Sequence, residues 1–93
     1  MVTVILTIRL ELPSVDSLKE KRRILKSLFT RLRNSFNISI SEVADNDILR
    51  RATVGAAIVS NNTAYGDKVI AKVVDKIMNE SSVIVSEYHT ETY

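Results

Sequence analysis

Apolar residues along this chain switch between the spacing of extended segments, alternating or continuous, and a period of 3.6, in the order extended, helical, extended, extended, helical, extended. Few folds accept that order. Val2, Val4, Leu6, Ile8, Leu10 and Leu12 fall on one side of an extended segment, with Thr3, Ile5, Thr7, Arg9 and Glu11 on the other, which predicts a long half-buried strand. Pro13 ends it by removing a backbone donor, and Ser17-Leu18-Lys19-Glu20 has the spacing of a capping box, so a first helix begins at Leu18. Its apolar stripe is Leu18, Leu25, Leu28, Phe29, Leu32 and Phe36, and Asn34 to Asn37 supply its exit.

Ile38 and Ile40 alternate with Ser39 and Ser41 in a second strand that runs to about Val43, before an Asp45-Asn46-Asp47 turn. Ala52 to Val59 is a nearly unbroken small and β-branched run, the pattern of a central strand covered on both sides. Asn61-Asn62 caps a second helix whose apolar face is Val69, Ile70, Val73, Val74, Ile77 and Met78. Val83-Ile84-Val85 forms the last strand, which the tail from His89 to Tyr93 either extends or leaves frayed. Right-handed crossovers fold this order into an α+β, ferredoxin-like βαββαβ domain: one four-stranded antiparallel sheet with both helices on one face.

A chain of 93 residues, 45% of them hydrophobic, builds one core. It has no cysteine, which removes disulfides, thiol chemistry and thiolate metal sites and fits a cytoplasmic, reducing compartment. Met1 to Leu12 lacks a charged leader and a cleavage site and reads as a strand. No apolar run approaches the roughly 20 residues that span a bilayer, so no membrane partner is expected and the sequons at Asn37, Asn61 and Asn79 read as chance.

Charge is unevenly placed. Between Ser17 and Asn34 there are seven basic residues and one acid, +6 in a chain of net +2, so the rest carries about −4. On a helical wheel Lys19, Arg22, Arg23, Lys26 and Arg33 share the face opposite the leucines, with Arg31 near its edge. Such a ridge is either a solvated helix face or a surface for phosphate, and RNA is the polyanion considered. Lys21 falls among the apolar positions, with its stem packed and its ammonium reaching past the helix start, paired with an acid such as Glu20 or Asp16. Catalysis by Lys21 with one of those acids is the enzymatic alternative.

Other chemistry finds few residues. Asp45 and Asp47 fall short of the oxygen count calcium takes, His89 is the only histidine, and Gly55 and Gly66 are isolated, so no metal, triad, cofactor or phosphate loop is expected. Lys68, Lys72 and Lys76 recur on the second helix with Asp75 and Glu80 in pairing range. Strands one and three carry no aromatics, which excludes base stacking on the sheet in the manner of an RNA-recognition motif. Ile5 and one row of strand three leave the sheet face away from the helices partly apolar, a surface that a second subunit covers in many small domains. A regulatory or scaffolding dimer, binding a protein or small molecule at that sheet interface, is therefore the second reading beside RNA association.

Three separated motifs add a resemblance. Ser17-Leu18-Lys19-Glu20-Lys21-Arg22-Arg23, Phe36-Asn37-Ile38-Ser39-Ile40-Ser41-Glu42-Val43, and Arg51-Ala52-Thr53-Val54-Gly55 with Val59-Ser60-Asn61 resemble the YlxP-like family of small uncharacterised bacterial proteins. The resemblance implies a ferredoxin-like fold, self-association as a homo-oligomer such as a dimer, and no established enzymatic activity. The family's gene often lies beside genes for translation initiation and ribosome assembly, which implies a role near the ribosome. Members often carry an aromatic and a glutamine before the Arg51 motif, where this chain has Leu49 and Arg50. The added arginine makes Arg50 and Arg51 candidates to join the ridge of the first helix.

Overall fold

A computed structural model describes residues 1–93. Its elements run β1 (Val2–Glu11), α1 (Leu18–Ser35), β2 (Ser39–Ala44), β3 (Arg51–Ser60), α2 (Thr63–Met78) and β4 (Ile84–Thr92). The strands form one sheet in the order β2-β3-β1-β4, with every neighbouring pair antiparallel. This is the ferredoxin-like βαββαβ arrangement expected from the hydrophobic periods, with both helices on one face.

Local chemistry accounts for the element boundaries. Ser17 is the N-cap of α1, and its hydroxyl accepts from the Glu20 amide at 3.1 Å. Asn62 does the same for α2 through the Tyr65 amide at 3.0 Å. The tail from His89 to Thr92 extends β4 rather than fraying, and Tyr93 exchanges both backbone hydrogen bonds with Thr3.

The inward row of β1, Val4, Leu6, Ile8 and Leu10, together with Leu12 just past its end, is wholly buried and meets Leu25, Leu28 and Leu32 of α1 and Ile70, Val73 and Ile77 of α2 in one core. Each such side chain contributes about 1.5–3 kcal/mol relative to exposure, so this row is the main hydrophobic support of the fold. α2 lies close on β1: a Cβ added to Gly66 would stand 2.7 Å from Val4 Cγ2. Only glycine fits there.

Three expectations change. β3 is central but alternates in burial, because only one face carries helices: Ala52, Val54, Ala56 and Ile58 are buried, while Val59 is 66% exposed. Met78 ends α2 with half its surface in solvent instead of joining the apolar face. On α2, Lys76 donates to Ser35 Oγ and lies over the Phe36 ring, while Glu80, just past the end of α2, pairs with Arg31 of α1 rather than with the α2 lysines.

Candidate nucleic-acid interface

α1 turns Leu25, Leu28, Phe29 and Leu32 inward, so 3.6-residue geometry sends Lys19, Arg22, Arg23 and Lys26 outward. All four are exposed, and none takes part in an ion pair or side-chain hydrogen bond. They occupy roughly 10 Å of helix axis. With no acid to neutralise them, their fields add over that patch, and it offers charge without a pocket.

The remaining candidates have other surroundings. Arg33 is on the same helix but donates to the Ile40 carbonyl of β2 at 2.8 Å, with its guanidinium 6.0 Å from the Phe29 ring centre. Its charge is spent on tying α1 to the β2 edge. Arg50 lies 3.7 Å from Asp16, just ahead of the α1 N-cap, so it stands near the cationic end of that helix with its charge met by an acid. Arg51 does not join it. Its neighbour Ala52 faces the core, so Arg51 projects from the opposite face of the sheet, 3.4 Å from Asp45. Arg50 and Arg51 are thus divided between the two faces by the alternation of the strand.

Lys21 is fully buried and its partner is neither Glu20 nor Asp16. Its ammonium lies 2.8 Å from Glu42 Oε2 of β2 and donates to the carbonyls of Asp45 and Ile48, each at 2.8 Å. Glu42 Oε2 has that charge beside it but no hydrogen bond in line with it. The group clamps the start of α1 to the β2–β3 turn. Within that turn Asp45 adopts φ 64°, a conformation that Asp tolerates better than most residues. Its carboxylate accepts from the Thr53 hydroxyl at 2.6 Å, and this bond, helped by Arg51, holds its pKa below the ordinary 3.8. Asp45 and Asp47 do not gather with a third ligand, and no group of three or more metal-binding side chains exists.

The sheet face away from the helices carries Thr7, Arg9, Thr53, Glu87 and His89 around a small dip. Arg9 pairs with Glu87 at 2.9 Å and Arg51 with Asp45, so ion pairs interrupt its apolar residues. No helix is long and apolar enough to cross a membrane.

Fold and surface together define a small ferredoxin-like α+β domain that presents a cationic helix. The chain belongs to the family described as "Protein of unknown function (DUF503)", whose pattern matches residues 3–90. A curated relative, the uncharacterized protein YlxP of Bacillus subtilis (strain 168), is 44% identical over 57 residues, covering 61% of this chain and 62% of that one. The match thus spans less than two thirds of that relative's length. Among solved structures, the de novo designed protein Ferredog-Diesel is similar with TM-score 0.48 and 17% identity, over 96% of this chain and 83% of that one. A crystal structure of a Shewanella oneidensis protein is similar with TM-score 0.46 and 19% identity, over 98% and 89% of the two chains.

Proposed function

We propose that this protein is a non-catalytic RNA-associated accessory protein that contacts phosphates through the first two turns of α1. One observation carries this: Lys19, Arg22, Arg23 and Lys26 form a patch with no acidic partner, on a helix whose other cations are engaged. Exposed cations without counter-charges gain most by releasing counterions from a polyanion. No aromatic lies on α1's outer face, so contact is with the backbone and sequence specificity is low. Arg50 is held by Asp16 at the helix start, and Arg33 and Arg51 contribute to the fold. Ribosomal RNA and its precursors are the class to test first, an expectation that comes from the family resemblance.

The test is fluorescence anisotropy with labelled ribosomal RNA fragments, comparing the wild type with an Arg22→Glu, Arg23→Glu, Lys26→Glu variant. Binding should be lost while circular dichroism and thermal unfolding stay close to wild type, since all three side chains are exposed. Equal affinity in the variant would overturn the proposal. Burial of the Lys21 ammonium among carbonyls leaves it no access to a substrate, so the enzymatic alternative gains no support.

A further inference from the structure

Both edges of the sheet are bulged, but they leave different lengths of backbone free. At the β2 edge the register shifts between Glu42 and Ala44, and Arg33 occupies the Ile40 carbonyl in the short stretch before the shift. In β4 the shift falls at Ser86, near the start of the strand, and residues 87–92 then keep an unbroken register, from Glu87 against Arg9 to Thr92 against Val4. Because Thr3 and Tyr93 exchange both of their backbone hydrogen bonds, alternation turns the backbone of Glu91, His89 and Glu87 toward β1 and leaves the amides and carbonyls of Tyr88, Thr90 and Thr92 pointing outward. All of residues 87–92 are exposed, and no turn or loop bonds to those outward groups. The side chains of the same three residues lie on the helix side, since their β1 partners Ile8, Leu6 and Val4 face the core. There Ile70, Ala71 and Val74 of α2 and Tyr88, 48% exposed, line an open groove of about 350 Å³.

We infer that residues 88–92 take up an extended segment of another protein as a fifth strand, one in which apolar side chains alternate with lysine or arginine. The free backbone groups supply hydrogen bonds to any strand, so the side chains decide which segment is held. Pairing puts every second side chain of the segment on the helix side, where the groove between α2 and Tyr88 takes apolar groups. The intervening side chains fall on the opposite face beside Glu87, His89 and Glu91. Glu87 shares its charge with Arg9, but Glu91 has only His89 near it, at 3.6 Å, and Asp67 at the groove is in no ion pair. The edge is therefore acidic, which favours a basic segment and repels an acidic one. β4 is the sheet edge opposite β2, to which Arg33 ties α1, so this surface is separate from the cationic patch and the inference does not rest on RNA association.

Amide hydrogen exchange followed by NMR tests it, with synthetic seven-residue peptides in which Lys alternates with Val or Leu as the probe. The amides of Tyr88, Thr90 and Thr92 should exchange freely in the protein alone and slow by about tenfold or more at peptide saturation, while those of His89 and Glu91 stay protected throughout. A peptide of the same composition with its order scrambled, or one with Glu in place of Lys, should bind about tenfold more weakly. Thr90→Pro removes an outward amide and none that bonds β1, and it should lose the peptide. Asp67→Lys combined with Glu91→Lys, both exposed, should turn the preference toward the Glu peptide. The Arg22→Glu, Arg23→Glu, Lys26→Glu variant should bind the Lys peptide as the wild type does, which separates this edge from the RNA surface. Unchanged exchange at the three amides with every alternating peptide, equal binding of the scrambled peptide, or protection that rises with protein concentration in the absence of peptide, the mark of a second copy on the edge, would overturn the inference.

Discussion

Lys21 is the side chain on which local geometry depends most. Its ammonium neutralises Glu42 and satisfies two turn carbonyls inside the protein, so Lys21→Met leaves a carboxylate uncompensated in a largely closed site. Breaking a buried pair from one side costs about 3–5 kcal/mol, whereas replacing both members costs far less. Urea unfolding should therefore show a large loss for Lys21→Met and recovery of part of it in Lys21→Met with Glu42→Leu, because the Asp45 and Ile48 carbonyls lose their donor in both variants. Gly66→Ala has a sign opposite to helix propensity: alanine gains about 1 kcal/mol in a helix, but its Cβ meets Val4, and overpacking costs about 1–3 kcal/mol. The same unfolding measurement should find the variant destabilised. Asp45 adds a pH dependence. Its folded pKa lies below 3.8, so it stabilises the fold above that value and the contribution fades as pH falls through the folded pKa. A carboxyl NMR titration should place Asp45 below 3.8, and Asp45→Asn should flatten this part of the acid unfolding curve. Sequence reading placed Lys21 on the apolar side of its helix but paired it with Glu20 or Asp16, because only neighbours along the chain are visible there. Glu42 reaches it through the sheet.

For the elements, legibility followed the range of the interactions involved. Pro13, Ser17 and Asn62 act within three or four residues, so helix starts were readable, and β1 and α1 were readable from periods of two and 3.6. The candidate site was readable as a helix face, yet which cations remain free was not. Arg31 meets Glu80, 49 residues away, and Arg33 meets the Ile40 backbone; both depend on how α1 lies against β2 and α2. Arg50 and Arg51 were separated by strand alternation once Ala52 was known to face the core. This gives α1 two functional halves that substitutions can distinguish. Arg33→Ala should lower stability, by about 0.5–1.5 kcal/mol for the hydrogen bond to Ile40, and leave RNA affinity nearly unchanged. Lys19→Ala or Lys26→Ala should do the reverse, and a joint record of melting temperature and anisotropy separates the two.

Across the whole molecule, one core beneath two helices leaves function to the surface, where a small net charge of +2 conceals a segment of +6. That segregation gives a quantitative expectation. Each phosphate neutralised contributes about −0.7 to −0.9 to the slope of log affinity against log salt, so contact through Lys19, Arg22, Arg23 and Lys26 implies a slope of roughly −3 to −4 per chain. A slope nearer −6 would mean that Arg33, Arg50 and Arg51 also leave their partners for phosphate. The most direct measurement is thus the affinity of the wild-type protein for a ribosomal RNA fragment across a salt series. Binding that weakens with a slope of roughly −3 to −4 is the expected result, and absence of binding at low salt, or binding indifferent to salt, would contradict a phosphate-reading helix.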